Sequence, residues 1–192
     1  MMIDTAGEPT AEGIFTDRHT AYRFTSEPVT DAELAHLYEL AKFTPTAMNS
    51  QPLRITFVRT EAGKRRLLPL LSEGNRAKAE SAPVVAILAA DTDFHQHLPT
   101  LLPQSPGAKD GLEANADRRR QMAVNNAWLQ AGGFIMAVRA IGLDAGPMGG
   151  IDAAGIDAEF FSGGGSADDS GRQYRPRRRG RQLPPQPTAQ LR

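Results

Sequence analysis

An α+β domain, mixing strands and helices with one long helix, is what the sequence predicts. Three observations carry that expectation. Two short apolar runs, Leu53 to Val58 and Val84 to Ala89, have the length and the β-branched or aliphatic content of strands. One far longer stretch, Asp117 to Ile141, repeats its apolar residues at helical spacing. Beyond Phe161 the composition breaks, so the folded body is expected to end there.

In chain order, Met1 to Gly13 is small and acidic and is expected to be a flexible N-terminus. It lacks the basic start and apolar stretch of a secretory signal. Thr30-Asp31-Ala32-Glu33 has the form of a capping box, and Leu34, Leu37, Tyr38 and Ala41 follow on one helical face. The strand at Leu53 to Val58 comes next. Glu61 to Leu71 reads as a helix whose end Pro69 weakens. Val84 to Ala89 is apolar throughout, which predicts a strand buried on both faces. In the long helix, Met122, Trp128, Leu129, Phe134, Ile135 and Val138 wrap much of the circumference. Such a helix is central or lies at a subunit interface. Gly132-Gly133 inside it costs helix stability and implies a close neighbour, and Gly142 stands where a C-terminal cap belongs.

The chain has 192 residues, no Cys, and 22 basic against 22 acidic side chains. The absence of Cys excludes disulfides, thiolate catalysis and Cys-ligated metal or iron–sulfur sites. No apolar run approaches the roughly 20 residues that span a bilayer, so a soluble, cytoplasmic protein is expected. The zero net charge is a sum of unlike parts. Residues 162–192 hold seven Arg and two Asp, while residues 1–161 hold 15 basic and 20 acidic residues. Nine of the last 31 residues are Gly or Pro and only five are apolar, a composition that predicts a disordered tail.

Hydrolytic motifs are absent: no Gly-x-Ser-x-Gly elbow, His-Glu-x-x-His or Walker loop occurs. Asp91, Asp93, His95 and His97 alternate as metal ligands on a strand would, but they lead into Pro99 and read better as a solvated loop. No metal site is expected. Arg118-Arg119-Arg120 reads as a solvated helix start. Three segments hold more chemistry. Arg18-His19-Thr20-Ala21-Tyr22-Arg23-Phe24 gathers cations and a hydroxyl, as a phosphate clamp does. Thr44 to Pro52 is a proline-bracketed loop in which Asn49 and Gln51 each offer a donor and an acceptor, suited to the edge of a heteroaromatic ring. Gly146-Pro147-Met148-Gly149-Gly150 has so few side chains that its backbone can approach a flat ligand. Each alone is also compatible with an ordinary loop or turn.

In this order and at these spacings, the three segments resemble the FMN-dependent nitroreductase family. The likeness is greatest to the branch containing the malonic semialdehyde reductase of pyrimidine degradation. It covers about Ile14 to Phe161 and includes LYELAKFTPTAMNSQPLRITFVR, EGNRAKAESAPVVAILAADTDFHQHLP and NNAWLQAGGFIMAVRAIGLDAGPMGGIDAAGIDAEFF. The resemblance implies a mixed sheet flanked by helices, an intertwined homodimer, and FMN sites built across its interface. It implies that Arg18 and Thr20 hold the FMN phosphate, that Asn49 and Gln51 face the isoalloxazine edge, and that Pro147, Met148 and Gly150 lie over the flavin. Tyr22 stands where many members carry a basic side chain, and Gly149 where some flavin reductases carry Glu. The implied reaction is ping-pong: NADH or NADPH gives a hydride to the flavin, then a small-molecule oxidant, an aldehyde, nitro compound or quinone, accepts it. Because the cofactor carries this chemistry, no protein residue is assigned as catalytic.

The tail departs from the resemblance, which implies an apolar strand after Phe161 and then a Pro-Arg-x-Pro-Arg-Leu-like segment. Codons for Gly171-Arg172-Gln173-Tyr174-Arg175, read one base downstream, can encode Val-Val-Asn-Ile-Gly. Leu183 through Gln190 can likewise encode Phe-Pro-Arg-Asn-Pro-Arg-Leu-Ser. A frameshift between Phe161 and Gly171 accounts for both. Two other readings accompany the enzyme: an inactive frameshifted relic with impaired FMN binding, and a basic-tailed nucleic-acid-binding module. The latter is disfavoured because Tyr174 is the tail's only aromatic.

Overall fold

The computed structural model describes residues 10–161; the tail, with its expected disorder and frameshift, and residues 1–9 lie outside them. The first turn, α1 (Ala11–Ile14), is capped by the Thr10 hydroxyl, which accepts from the Gly13 amide at 3.0 Å. That turn spans the boundary expected at Ile14. α2 (Asp31–Ala41) starts on the full capping box: the Thr30 hydroxyl accepts from the Glu33 amide, and the Glu33 carboxylate accepts from the Thr30 amide.

β1 (Leu53–Val58) and β2 (Val85–Ala90) pair antiparallel, with Val58 opposite Val85 and Leu53 opposite Ala90. Between them run α3 (Glu61–Leu67), a 3-10 turn at Leu68–Leu70 that carries Pro69, and α4 (Glu73–Ser81). Pro69 has no amide to donate, and the helix gives way to the tighter turn one residue before it. After β2 come a 3-10 turn at Phe94–His97, then α5 (Leu98–Leu101), α6 (Ala108–Glu113), the long α7 (Ala116–Ala140) and α8 (Ala153–Phe160). α7 ends at Gly142, whose φ of 83° is the left-handed cap expected there.

Side-chain alternation along the strand pair divides the core into two layers. Ile55 and Phe57 face α2 and α7, packing with Leu34, Leu37, Phe134 and Val138; the Phe57 and Phe134 rings lie 6.4 Å apart. Val58 and Val85 face the other way, onto Leu67, Leu71, Ala79, Ile156 and Phe160. A third, smaller cluster, Phe94, Leu98, Leu112 and Ala123, joins the 94–113 segment to the first half of α7.

One expectation needs correction. The second strand begins one residue later than expected and is half-buried rather than enclosed, with Leu88 36% exposed. Apolar content states a demand for burial, but among the described residues β2 has a strand neighbour on one side only. On α7, Trp128 and Leu129 are 74% and 59% exposed, while the face turned inward carries Ala123, Asn126, Ala127, Gln130 and Ala131. Small and amide side chains let this part of α7 lie close to the chain beneath it; Phe134 and Val138 fill the core further along, while Trp128 and Leu129 point away.

Candidate functional site

The loop between α2 and β1 is shaped by α7. Asn126 accepts from the Ala47 amide through Oδ1 at 2.7 Å and donates through Nδ2 to the Met122 carbonyl at 2.8 Å. One turn later, Gln130 accepts from the Leu53 amide at 2.9 Å and donates to Gln51 Oε1 at 2.6 Å. Both side chains are 4% exposed. A further turn along, Gly133 lies against Thr44: a Cβ there would stand 1.9 Å from the Thr44 hydroxyl oxygen. Positions 126, 130 and 133 form one stripe, so a single helix face holds the loop at its start, middle and end. The close neighbour expected from Gly132-Gly133 is thus Thr44, and only Gly133 meets it; nothing approaches Gly132.

Within this loop Met48, Asn49 and Gln51 all have positive φ, at 60°, 49° and 45°. A left-handed residue other than Gly costs roughly 1–2 kcal/mol, and three in four positions persist only because the surroundings impose them. The result is an ordered pair of amides. Gln51 Nε2 donates to Asn49 Oδ1 at 3.1 Å, and Asn49 Nδ2 donates to the Leu101 carbonyl at 3.0 Å. Each amide retains capacity for a ligand. Ser50, between them, is 1% exposed and its hydroxyl has no partner.

The first and third candidate segments meet each other elsewhere. The Ala21 amide donates to the Ala145 carbonyl at 3.0 Å, and Arg18 pairs with Asp144 at 2.7 Å. Gly146 has to be Gly, because a Cβ would stand 2.5 Å from the Ala21 carbonyl oxygen. Thr20 is half-buried in the same arm. On the far side of the 146–150 loop lies α4. Lys78 Nζ is 3.4 Å from the Pro147 carbonyl and 5.3 Å from the centre of the Tyr22 ring. Asn75 Nδ2 and the Ser72 amide both donate to the Gly150 carbonyl, at 3.1 and 3.0 Å. Met148 packs on the second core layer, and Pro147 and Gly150 are exposed. An open groove of about 410 Å³ runs beside them, lined by Leu70, Leu71, Ser72, Gly150, Ile151 and Asp152.

Lys78 is a candidate site residue that the sequence alone does not single out. It is 9% exposed, yet no carboxylate pairs with it among the described residues. An ammonium held only by a long carbonyl contact and a ring face keeps donor capacity for an anion. Its sequence signal was faint: α4 is polar and weakly periodic, and no helix was expected there. Arg18 uses one nitrogen on Asp144, a half-exposed partner, which leaves most of its donor fork open.

The Asp91–His97 run departs from the solvated loop expected of it. After Asp93 the backbone winds into the 3-10 turn, so alternation fails and the four side chains do not share a face. His95 is 1% exposed, stands edge-on to Phe94, and places Nε2 2.6 Å from Glu113 Oε2. Arg118, Arg119 and Arg120 begin α7 as expected, with Arg119 within 4 Å of both Glu113 and Asp93.

A family model described as the nitroreductase family matches residues 15–162. A Streptomyces coelicolor protein that carries the name NADH dehydrogenase/NAD(P)H nitroreductase is 56% identical over 149 residues, 78% of this chain and 74% of its own. A Leptothrix cholodnii protein of the same name is 52% identical over 150 residues, covering 78% and 76%. Among solved structures, a nitroreductase from Exiguobacterium sibiricum in complex with FMN superimposes with a TM-score of 0.69 at 22% identity, over 77% of this chain and 78% of that one. A Bacillus subtilis nitroreductase gives 0.68 at 22% identity, over 89% and 93%. At that identity the structural likeness speaks for the fold. Among the described residues no helix is long and apolar enough to cross a membrane.

Proposed function

Since the chain belongs to the nitroreductase family, we propose that it is an FMN-dependent NAD(P)H oxidoreductase that reduces a small aldehyde, nitro compound or quinone. Malonic semialdehyde, the substrate implied by the branch it resembles, leads that set. The observation that carries the reading is the buried, carboxylate-free Lys78 beside an arm and a loop that approach within one hydrogen bond of each other. The residues present fit the cofactor. Arg18, Thr20 and Lys78 supply cationic and hydroxyl contacts for a phosphate. Asn49 and Gln51 offer a fixed donor–acceptor edge to a heteroaromatic ring, and the backbone of Pro147 to Gly150 offers a surface for its face.

Bound there, FMN supplies two-electron hydride chemistry that no side chain of this protein supplies. The chain's own work is positional. α7 holds the amide loop in place through Asn126 and Gln130, and Lys78 with Arg18 supplies positive charge for a phosphate at the other end. No side chain is assigned as a proton donor. The exposed Val124, Trp128 and Leu129 on α7 support a homodimer in which this face is covered. Substituting Lys78→Gln should weaken FMN binding about 10- to 150-fold without unfolding the chain, as measured by flavin fluorescence titration and circular dichroism. Unchanged affinity would remove Lys78 from the site.

The tail favours a second proposal, that the reading frame shifts between Phe161 and Gly171 and leaves a relic with weakened FMN binding. Its support is the incompletely covered β2, whose outer residues are half-exposed. Sequencing the gene decides it: the alternative frame is expected to run open through the Pro-Arg-Asn-Pro-Arg-Leu stretch, and a stop codon before it would end the idea.

A further inference from the structure

The 94–113 segment is closed on itself by one polar tie. His95 stands at its beginning and Glu113 at its end, and Nε2 meets Oε2 at 2.6 Å. Gln96 Nε2 reinforces the same carboxylate oxygen at 3.0 Å, and Arg119 lies 3.7 Å from the other. The ring is sealed among apolar groups, with Phe94 and Leu98 fully buried, and its Nδ1 has no partner. The ring's one polar anchor is therefore at Nε2.

Between the two ends sits Leu101, and its carbonyl accepts from Asn49 Nδ2 at 3.0 Å. Met48, in the left-handed stretch, packs on the same small core as Phe94 and Leu98. Asn49 is exposed, and apart from Gln51, which is half-buried, its amide has only the Leu101 carbonyl to decide which end is donor and which is acceptor. Release of the Leu101 carbonyl would leave that amide held from one side only, by Gln51 Nε2, and free to tilt away from a ring edge.

We propose that the His95–Glu113 clasp is a positioning device: by closing the 94–113 segment it holds the Leu101 carbonyl where it orients the Asn49 amide. Its consequence for catalysis rests on the reading that Asn49 faces the flavin edge. His95 and Glu113 are positioning residues, since neither side chain is among those that line the cofactor site.

Three variants of the full chain test it. His95→Phe keeps a ring and removes the polar tie, His95→Gln restores an N–H near Nε2, and Glu113→Gln weakens the tie from its exposed end. Hydrogen exchange without flavin reports the coupling directly. His95→Phe and Glu113→Gln should speed exchange in residues 94–102 and in residues 46–52 together, and His95→Gln should return both towards the parent. Where flavin binds, His95→Phe should weaken FMN about tenfold and shift the bound flavin's visible spectrum. Faster exchange confined to 94–102, or a Gln variant as impaired as Phe, would overturn the clasp. Should His95→Phe fail to fold, Glu113→Gln and His95→Gln carry the same two outcomes. Coupled exchange in a chain that binds no flavin would uphold the clasp and discard the flavin reading instead.

Discussion

At the residue scale, Gly133 and Gln130 show how one side-chain position governs a loop on another element. A methyl group at 133 would overlap the Thr44 hydroxyl, and α7 cannot recede without opening the Phe57–Phe134 contact. Gly133→Ala should therefore destabilise the fold by about 1–3 kcal/mol despite raising helix propensity. Urea denaturation reads the loss, and a stabilised variant would show that the loop yields freely. The need for a small residue was legible from Gly132-Gly133 in the sequence. Which glycine mattered was not, because that depends on the angular position of residue 44 around α7, and the two residues are 89 positions apart. Lys78 was illegible for a related reason: a lysine's type says nothing about whether a carboxylate lies nearby.

At the scale of elements, local signals were read well where the local chain determines the outcome. The capping box at Thr30, the strand at Leu53–Val58 and the Gly142 cap all formed where expected, because each depends on residues within one turn of itself. α4 was missed since its apolar residues are few, and its place is set by Lys78 and Ala79 packing against other elements. His95, expected in a solvated loop, is buried instead, because the 3-10 turn at Phe94–His97 turns its ring onto Phe94 and towards Glu113. Both carboxylates that close local structures follow one titration rule. Hydrogen bonds from the Thr30 hydroxyl and then its amide hold Glu33 below the usual carboxylate range, and the hydrogen bond from His95 does so for Glu113. A lowered folded pKa stabilises above the ordinary carboxylate range, and the stabilisation is lost as pH falls through the folded value. The urea midpoint should fall as pH drops through and below the ordinary carboxylate range, and less steeply in a Glu33→Gln, Glu113→Gln double variant. Equal slopes would show that neither bond survives in solution.

At the scale of the whole molecule, three core clusters surround a strand pair, and the exposed Val124, Trp128 and Leu129 sit on the helix that also shapes the amide loop. A homodimer that covers this face would link assembly to loop geometry. Trp128 is the chain's only Trp, so its emission should shift to the blue as concentration rises through the association range, with sedimentation reporting the doubled mass. Emission independent of concentration, with a monomer throughout, would leave that face uncovered. The two sides of the candidate cofactor site, the amide loop and the Arg18–Lys78–Gly146 cluster, are each well built, and they share no hydrogen bond or ion pair among the described residues. A flat ligand with a phosphate at one end is the kind of molecule that would engage both. The most direct measurement is an anaerobic titration of the purified full chain with FMN, followed by NADH or NADPH. The account predicts a yellow complex whose visible flavin band bleaches on adding the nicotinamide and returns with an aldehyde, nitro compound or quinone. A folded chain that stays colourless with excess FMN, or a bound flavin that neither nicotinamide reduces, would contradict it.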